Sequence, residues 1–316
     1  MHLPESSRPG FVDYTLLITL AAIWGASFYF IKLAVDTIPA VTLTLGRLAI
    51  GALFLYAIAR IYKEPFPKDL MIWVYITLSA FIGSALPFTL ISWGEETVDS
   101  GIAAILMGVA PLTTIFIAHF LTKDEKLNIA KIIAVVLGIF GLIVLMGSET
   151  FSTLGDDTVR QIAIAGAAFC YGLNTIITKS LIHLPKHSMV AAILIVSTIM
   201  MLPASIAWDK PWTLTPSSSS LISMAILGLL QTALAGLMMF IIIERQSASF
   251  FSQINFFVPI FGVVWGIAFL SEQIPPNGFI ALGIILLGML IARHDRYDNV
   301  FFVRSILAQM KMFKRK

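Results

Sequence analysis

Ten apolar stretches, each long enough to cross a lipid bilayer, limit what this chain can fold into. A transmembrane helix needs about 20 predominantly apolar residues. Stretches of that kind occupy residues 13–33, 40–61, 70–90, 100–121, 129–146, 161–181, 189–208, 221–243, 250–270 and 277–292. Turn and charge signals separate them: Lys63-Glu64-Pro65, Glu95-Glu96, Gly155-Asp156-Asp157, Pro185-Lys186 and Pro275-Pro276. Ser217 to Ser220, after Pro216, reads as a cap before the eighth span. Composition leaves no soluble alternative. The 316 residues are 58% hydrophobic and 12% charged, against about 25% charged in a soluble domain. Cytosolic enzymes, nucleic-acid binders and disordered chains are thereby excluded. A net charge of +3 offers no basic surface for nucleic acid. One cysteine, Cys170, precludes an internal disulfide. The expected fold is an all-α polytopic membrane protein with ten transmembrane helices.

Basic residues orient the spans. With the N-terminus in the cytoplasm, seventeen of the 21 lysines and arginines fall on the inner side; only Lys32, Arg160 and Lys210 fall outside, and Arg47 lies within a span. An even number of spans then returns the C-terminus to the cytoplasm. The apolar start of the first span is too long for a secretory signal, so an uncleaved helix is expected. After residue 293, Phe302, Ile306, Met310 and Phe313 recur at helical spacing opposite Arg304, Lys311, Lys314 and Lys316. That pattern fits a basic amphipathic helix on the inner leaflet; a plain basic tail is the alternative.

The chain also repeats itself. Trp24-Gly25 precedes Lys32 as Tyr171-Gly172 precedes Lys179, at an offset of 147 residues. Gly101, Ala104, Gly108 and Pro111 in the fourth span match Ser249, Ser252, Phe256 and Pro259 in the ninth at an offset of 148. The segments beyond each proline end alike, in Phe120-Leu121-Thr122-Lys123-Asp124-Glu125 and Phe269-Leu270-Ser271-Glu272. Each leads to a glycine-containing helix, with Gly138 and Gly141 in one and Gly283 and Gly288 in the other. Five spans per half is an odd number, so the second half inserts upside-down relative to the first. Inverted repeats of this kind build carriers whose site lies near the midplane between the halves.

These residues carry a family resemblance. Trp24-Gly25 with Lys32, Arg47, Pro111 before Asp124 and Glu125, the Gly138/Gly141 helix, and Pro259 before Glu272 resemble the drug/metabolite transporter superfamily, in its ten-helix EamA-domain exporter branch. The resemblance spans residues 15–292. One departure is Cys170-Tyr171 in the sixth span, where a Trp-Gly pair is expected. The implied organisation is a cytoplasmic N-terminus (1–12), a first EamA-like repeat (13–147), an extracytoplasmic linker (148–160), a second repeat (161–293) and a cytoplasmic tail (294–316). The resemblance implies a cavity among the first, third, fourth, sixth, eighth and ninth helices, and gives Arg47 a structural or gating role.

Candidate site residues follow from burial arguments. Pro111 and Pro259 each remove a backbone hydrogen bond inside a helix, as hinges at the cavity or as packing kinks. An arginine at a membrane-helix centre costs ~2.5–3.5 kcal/mol on insertion scales, so Arg47 should pair with a carbonyl or an acid, or contact solute. Lys32 and Lys179 lie near helix ends, where they can snorkel. Trp24, Ser27 and Phe28, then Tyr171, Asn174 and Thr175, then Ser252 and Asn255 with Gln253 beside them, and Gln231 beside Thr232, form polar and aromatic stripes. Such groups should face inward, toward a cavity or toward one another. All 18 acidic residues fall in connectors or at helix ends, which disfavours proton coupling through a mid-span carboxylate. His183 and His187 have no third ligand, and His119 stands alone, so no metal site is expected. No catalytic or nucleotide-binding motif occurs, and neither a cofactor nor an enzymatic role is expected.

The sequence therefore reads as a carrier of small metabolites, such as amino acids or related amphipathic compounds, in a bacterial inner membrane. It would work by alternating access, driven by a gradient, a coupling ion or a counter-substrate, as a monomer or homodimer. Export is what the resemblance implies. A drug-like, nucleotide-derived or cationic solute is the alternative, with a membrane receptor or scaffold behind it.

Overall fold

The computed structural model describes residues 9–121, 127–146, 156–181, 184–246 and 248–292. The expected amphipathic tail and most of the linker between the halves lie outside these residues. Eight helices are long and apolar enough to cross a membrane: α1 (Phe11–Val35), α2 (Ala40–Ile61), α3 (Leu70–Gly94), α4 (Ser100–Leu121), α5 (Ile129–Met146), α6 (Asp157–Leu181), α7 (Lys186–Asp209) and α8 (Ser218–Arg245). Two shorter apolar helices, α9 (Ile254–Leu270) and α10 (Pro276–Ala292), complete the ten. Side-chain caps fix two of the starts. Asp69 Oδ1 accepts from Met71 N at 2.8 Å to start α3. Ser217 Oγ accepts from Ser220 N at 3.1 Å to start α8, the cap expected from the serine run.

Five of the spans are not the continuous rods that periodicity suggests; α7, with Pro203 inside it, ends in a π-turn at Ser205–Asp209. α3 loosens into a π-turn at Phe81–Ala85 and α8 at Leu227–Leu234. These two segments fall at equivalent places in the two halves. Pro87 has no N–H to give Gly83, which frees the ladder in α3. In α8 the Thr232 hydroxyl donates to Leu227 O at 2.8 Å, which opens the ladder by a different route. The fourth span breaks at Gly108 and Val109, so Pro111 begins a new segment, Ala110–Leu121, and does not interrupt a helix interior. This corrects the expectation for Pro111; Pro259 does lie inside α9. The ninth span is likewise split, into Ala248–Phe251 and α9, because the turn at Ser252 and Gln253 intervenes.

The inverted repeat is visible at the level of atoms. A Cβ on Gly25 of α1 would stand 2.6 Å from Phe261 Cβ and 3.0 Å from Gly262 N on α9. A Cβ on Gly172 of α6 would stand 2.6 Å from Thr113 Oγ1 and 2.9 Å from Thr114 N on α4. The glycines differ by 147 positions and their partners by 148. Each half therefore sends its first helix against the fourth helix of the other half, and glycine permits the close approach. Helices α2 and α7 pack against one another across the pseudo-two-fold axis. The outward surface is apolar, with Leu53, Val136, Phe140, Ile199, Val264 and Ile280 exposed as expected for a face against lipid.

Candidate solute cavity

A chamber of about 1400 Å³ lies between the halves. α1 gives it Trp24, Ser27, Phe28 and Ile31; α3 gives Gly83, Ser84, Phe88 and Ile91; α6 gives Tyr171, Asn174 and Thr175. α8 gives Gln231, Thr232, Gly236 and Met239, and the ninth span gives Phe251, Ser252, Asn255, Phe256, Val258 and Pro259. Pro111 and its neighbours on α4 close the far wall, and Arg47 enters from α2. Both loosened segments contribute to this lining, through Gly83 and Ser84 of α3 and Gln231 and Thr232 of α8.

Local packing fixes the polar wall. Trp24 Nε1 donates to the Gln231 carbonyl at 3.3 Å, joining α1 to α8. Ser79 Oγ donates to Asn174 Oδ1 at 2.7 Å, joining α3 to α6. A Cβ on Gly83 would stand 2.3 Å from Asn174 Nδ2, so the missing side chain is what lets the amide sit there. The Gln231 side chain is 2% exposed, and neither amide atom has a hydrogen-bond partner.

Arg47 is 7% exposed. Its Nε donates to Thr232 Oγ1 at 2.8 Å, and its guanidinium stacks on Phe88 with the carbon 3.9 Å from the ring centroid. The expected carbonyl or acid partner is replaced by a hydroxyl and a ring. Among the described residues the terminal guanidinium nitrogens make no hydrogen bond and no ion pair, and they belong to the cavity wall.

The chamber reaches one face of the bundle only. Asn128 and Lys131 at the start of α5, Ala292 at the end of α10, and Phe251 and Ser252 carry its lining to the face where α1 begins. At the far face the lining stops at Ile31 and Ile91. Beyond them Ile38, Val98, Ile102 and Ile274 are buried. Polar contacts between the halves seal that face. Glu272 accepts from Ser100 N at 2.7 Å and Gly101 N at 2.9 Å, capping α4. Thr37 Oγ1 donates to Ser220 Oγ at 2.7 Å, Thr42 N donates to Asp209 Oδ2 at 2.7 Å, and Arg160 pairs with Glu96 at 2.7 Å.

Ten of the eleven stripe residues border this chamber; the exception is Gln253, the N-cap of α9. Arg47, Pro111 and Pro259 border it, while Lys32 and Lys179 do not. Lys32 does not snorkel. Its Nζ donates to Glu95 O at 2.8 Å and Val98 O at 3.0 Å, binding the end of α3 at the sealed face. Lys179 is exposed in the last turn of α6 at the other face. Phe88, Ser84 and Gly83 carry no signal in the sequence, since they look like any apolar or small membrane residue. One connector acid is nonetheless buried. Glu95 lies in the connector after α3, as expected, yet it is 0% exposed because the connector folds into the bundle.

A ten-helix bundle of two inverted halves around a chamber sealed at one face is the architecture of a membrane carrier. The chain belongs to the EamA-like transporter family, whose profile matches residues 13–147 and 160–293. It is 27% identical over 273 residues to the uncharacterized transporter YoaV of Bacillus subtilis, covering 86% of this chain and 92% of that one. It is 26% identical to the uncharacterized inner membrane transporter YedA of Escherichia coli K12, covering 89% and 90%. It is 22% identical to a protein of Chlamydia muridarum named S-adenosylmethionine/S-adenosylhomocysteine transporter, covering 92% and 94%. One solved crystal structure superposes with a TM-score of 0.64 at 15% identity, covering 89% of this chain and 96% of that one, and supports the fold.

Proposed function

We propose that the protein exports small carboxylate-bearing metabolites, such as amino acids or related amphipathic compounds, by alternating access. The face where α1 begins is assigned to the cytoplasm because the basic residues gather there. The reading rests above all on one observation: a stacked arginine with unengaged terminal nitrogens and an unpartnered Gln231 amide border one chamber, with Trp24, Phe28, Phe88 and Tyr171 among its lining. A guanidinium and an amide suit a carboxylate, and the rings suit an apolar side chain. The proposed solute-contacting residues are Trp24, Ser27, Phe28, Tyr171, Asn174, Thr175, Gln231, Ser252 and Asn255. Exchange of shape between the inverted halves would open the far face and close the near one, with hinges at the broken helices.

The test is a thermal-shift screen on purified protein followed by flux into proteoliposomes. The panel holds amino acids, their decarboxylated amines, S-adenosylmethionine and drug-like cations. Amino acids should raise the melting temperature, since a ligand bound only to the folded state stabilises it, and they should be transported. A response to the amines or cations alone, with none to any carboxylate, sinks the proposal.

A further inference from the structure

Glu95 is the one fully buried acid among the described residues, and neither of its carboxylate oxygens has a hydrogen-bond partner. An isolated charged carboxylate is too costly to bury in that way, and such a group takes up a proton instead. None of the charged groups around it donates to the carboxylate. From α1, Lys32 binds the main-chain oxygens of Glu95 and Val98. From α2, Arg47 is held by Thr232 and Phe88. Beyond α9, Glu272 is committed to the first amides of α4. At the rim, Glu96 pairs with Arg160 of α6, and Asp157 accepts from Thr97. Asp99 lies four residues beyond Glu95 in the same connector.

We propose that Glu95 is a proton-binding site tied to the sealed face: it takes up a proton when that face closes and releases it when the face opens to water. The protonated group is neutral and tolerates the dry site; the carboxylate requires hydration. Burial pushes the carboxyl well above the ordinary value of 4.5, Glu272 adds to this, and Lys32 and Arg47 oppose it. The sealed conformation therefore binds more protons than the open one. Its advantage is full below the ordinary value and is lost as pH rises through the raised one. Acid thus favours the conformation whose chamber reaches the α1 end. The inference rests on the two-conformation cycle proposed above, but its test needs no solute.

The test uses full-length protein in detergent, with Cys170→Ala and a single new cysteine at Ile102, which is 9% exposed behind the sealed face. A maleimide labels that thiol when the face opens. The same measurement with the cysteine at Trp212, 68% exposed, corrects for the thiol's own ionisation. With Glu95 present, the Ile102-to-Trp212 ratio of labelling rates should rise at least about threefold between about pH 5 and about pH 8. In Glu95→Gln the ratio should stay low and flat; in Glu95→Asp it should keep its rise. A flat ratio with Glu95 present, or an equal rise in Glu95→Gln, overturns the proposal. If Glu95→Gln does not fold, a flat ratio in Glu95→Asp overturns it and a retained rise supports it. A flat ratio beside intact solute flux removes the proton site and leaves transport standing; a steep ratio without flux does the reverse.

Discussion

The guanidinium of Arg47 lies flat on Phe88, its carbon 3.9 Å from the ring centroid. The ring covers one face of the cation, and Thr232 fixes Nε at 2.8 Å. Both neighbours come from the loosened segments of α3 and α8 or their immediate edge, so the arginine is held by the same segments that would move as the halves exchange shape. Arg47→Lys keeps the charge but loses the stack and the two-pronged geometry. Flux should show KM raised about tenfold or more, since a hydrogen bond to a charged group contributes about 1.5–3 kcal/mol. Unchanged KM in both Arg47→Lys and Arg47→Gln would show that the arginine does not meet the solute.

The close approach of α9 to α4 depends on Gly262, where a Cβ would stand 2.2 Å from the Ala104 Cβ. Gly262→Ala should destabilise the protein by about 1–3 kcal/mol, the usual cost of overpacking. Gly283, with nothing within 4 Å of an added Cβ, is the control. Gly283→Ala should be neutral or stabilising by up to about 1 kcal/mol through helix propensity. Thermal melts of the two purified variants check the contrast.

Lys32 carries a charge-assisted link from α1 to the end of α3 at the sealed face. Lys32→Met leaves two carbonyls without that donor and should loosen the seal. The labelling rate of a cysteine at Ile102 should rise several-fold at fixed pH, opposite in sign to the effect of Glu95→Gln. Equal labelling in Lys32→Met and the unmodified background would mean that the link does not hold the face shut.

At the other face Glu64 ties the α2–α3 connector to α7, with Oε2 accepting from Ser188 N at 2.8 Å and Oε1 against His187 Nδ1 at 2.6 Å. Partial burial alone would raise its carboxyl; the Ser188 and His187 bonds outweigh that and hold it below the ordinary value of 4.5. A lowered value means stability that is present above about 4.5 and lost as pH falls through the folded-state value. Melting temperature should therefore drop on acidification below about pH 4.5 by more in the unmodified protein than in Glu64→Gln. Parallel acid limbs in the two proteins would remove Glu64 as a source of the effect.

The cavity wall was partly legible in advance. Asn174, Gln231 and Ser252 stand out because an amide or hydroxyl within an apolar span must turn from lipid, and that argument needs no coordinates. Phe88 and Gly83 border the same chamber and could not be found that way, since an apolar or missing side chain is equally at home against lipid. Gln253 misled because it sits beside the stripe in the chain, yet it falls in the turn before α9 and is not part of the lining. The π-turns of α3 and α8 left no periodic mark; they arise from where Pro87 and Thr232 disturb the hydrogen-bond ladder.

Span number, the odd count per half and hence the inversion follow from hydropathy and spacing alone, because the bilayer imposes a fixed length on every helix that crosses it. Which face is sealed, that Arg47 rests on a ring and a hydroxyl where a carbonyl, an acid or solute was expected, and that Glu95 folds inward from a connector are matters of tertiary packing. Each depends on contacts between residues far apart in the chain, such as Glu272 with Ser100 and Arg47 with Thr232. Local sequence constrains the length and polarity of a segment; its neighbours in space decide whether a charged side chain meets water or the protein interior.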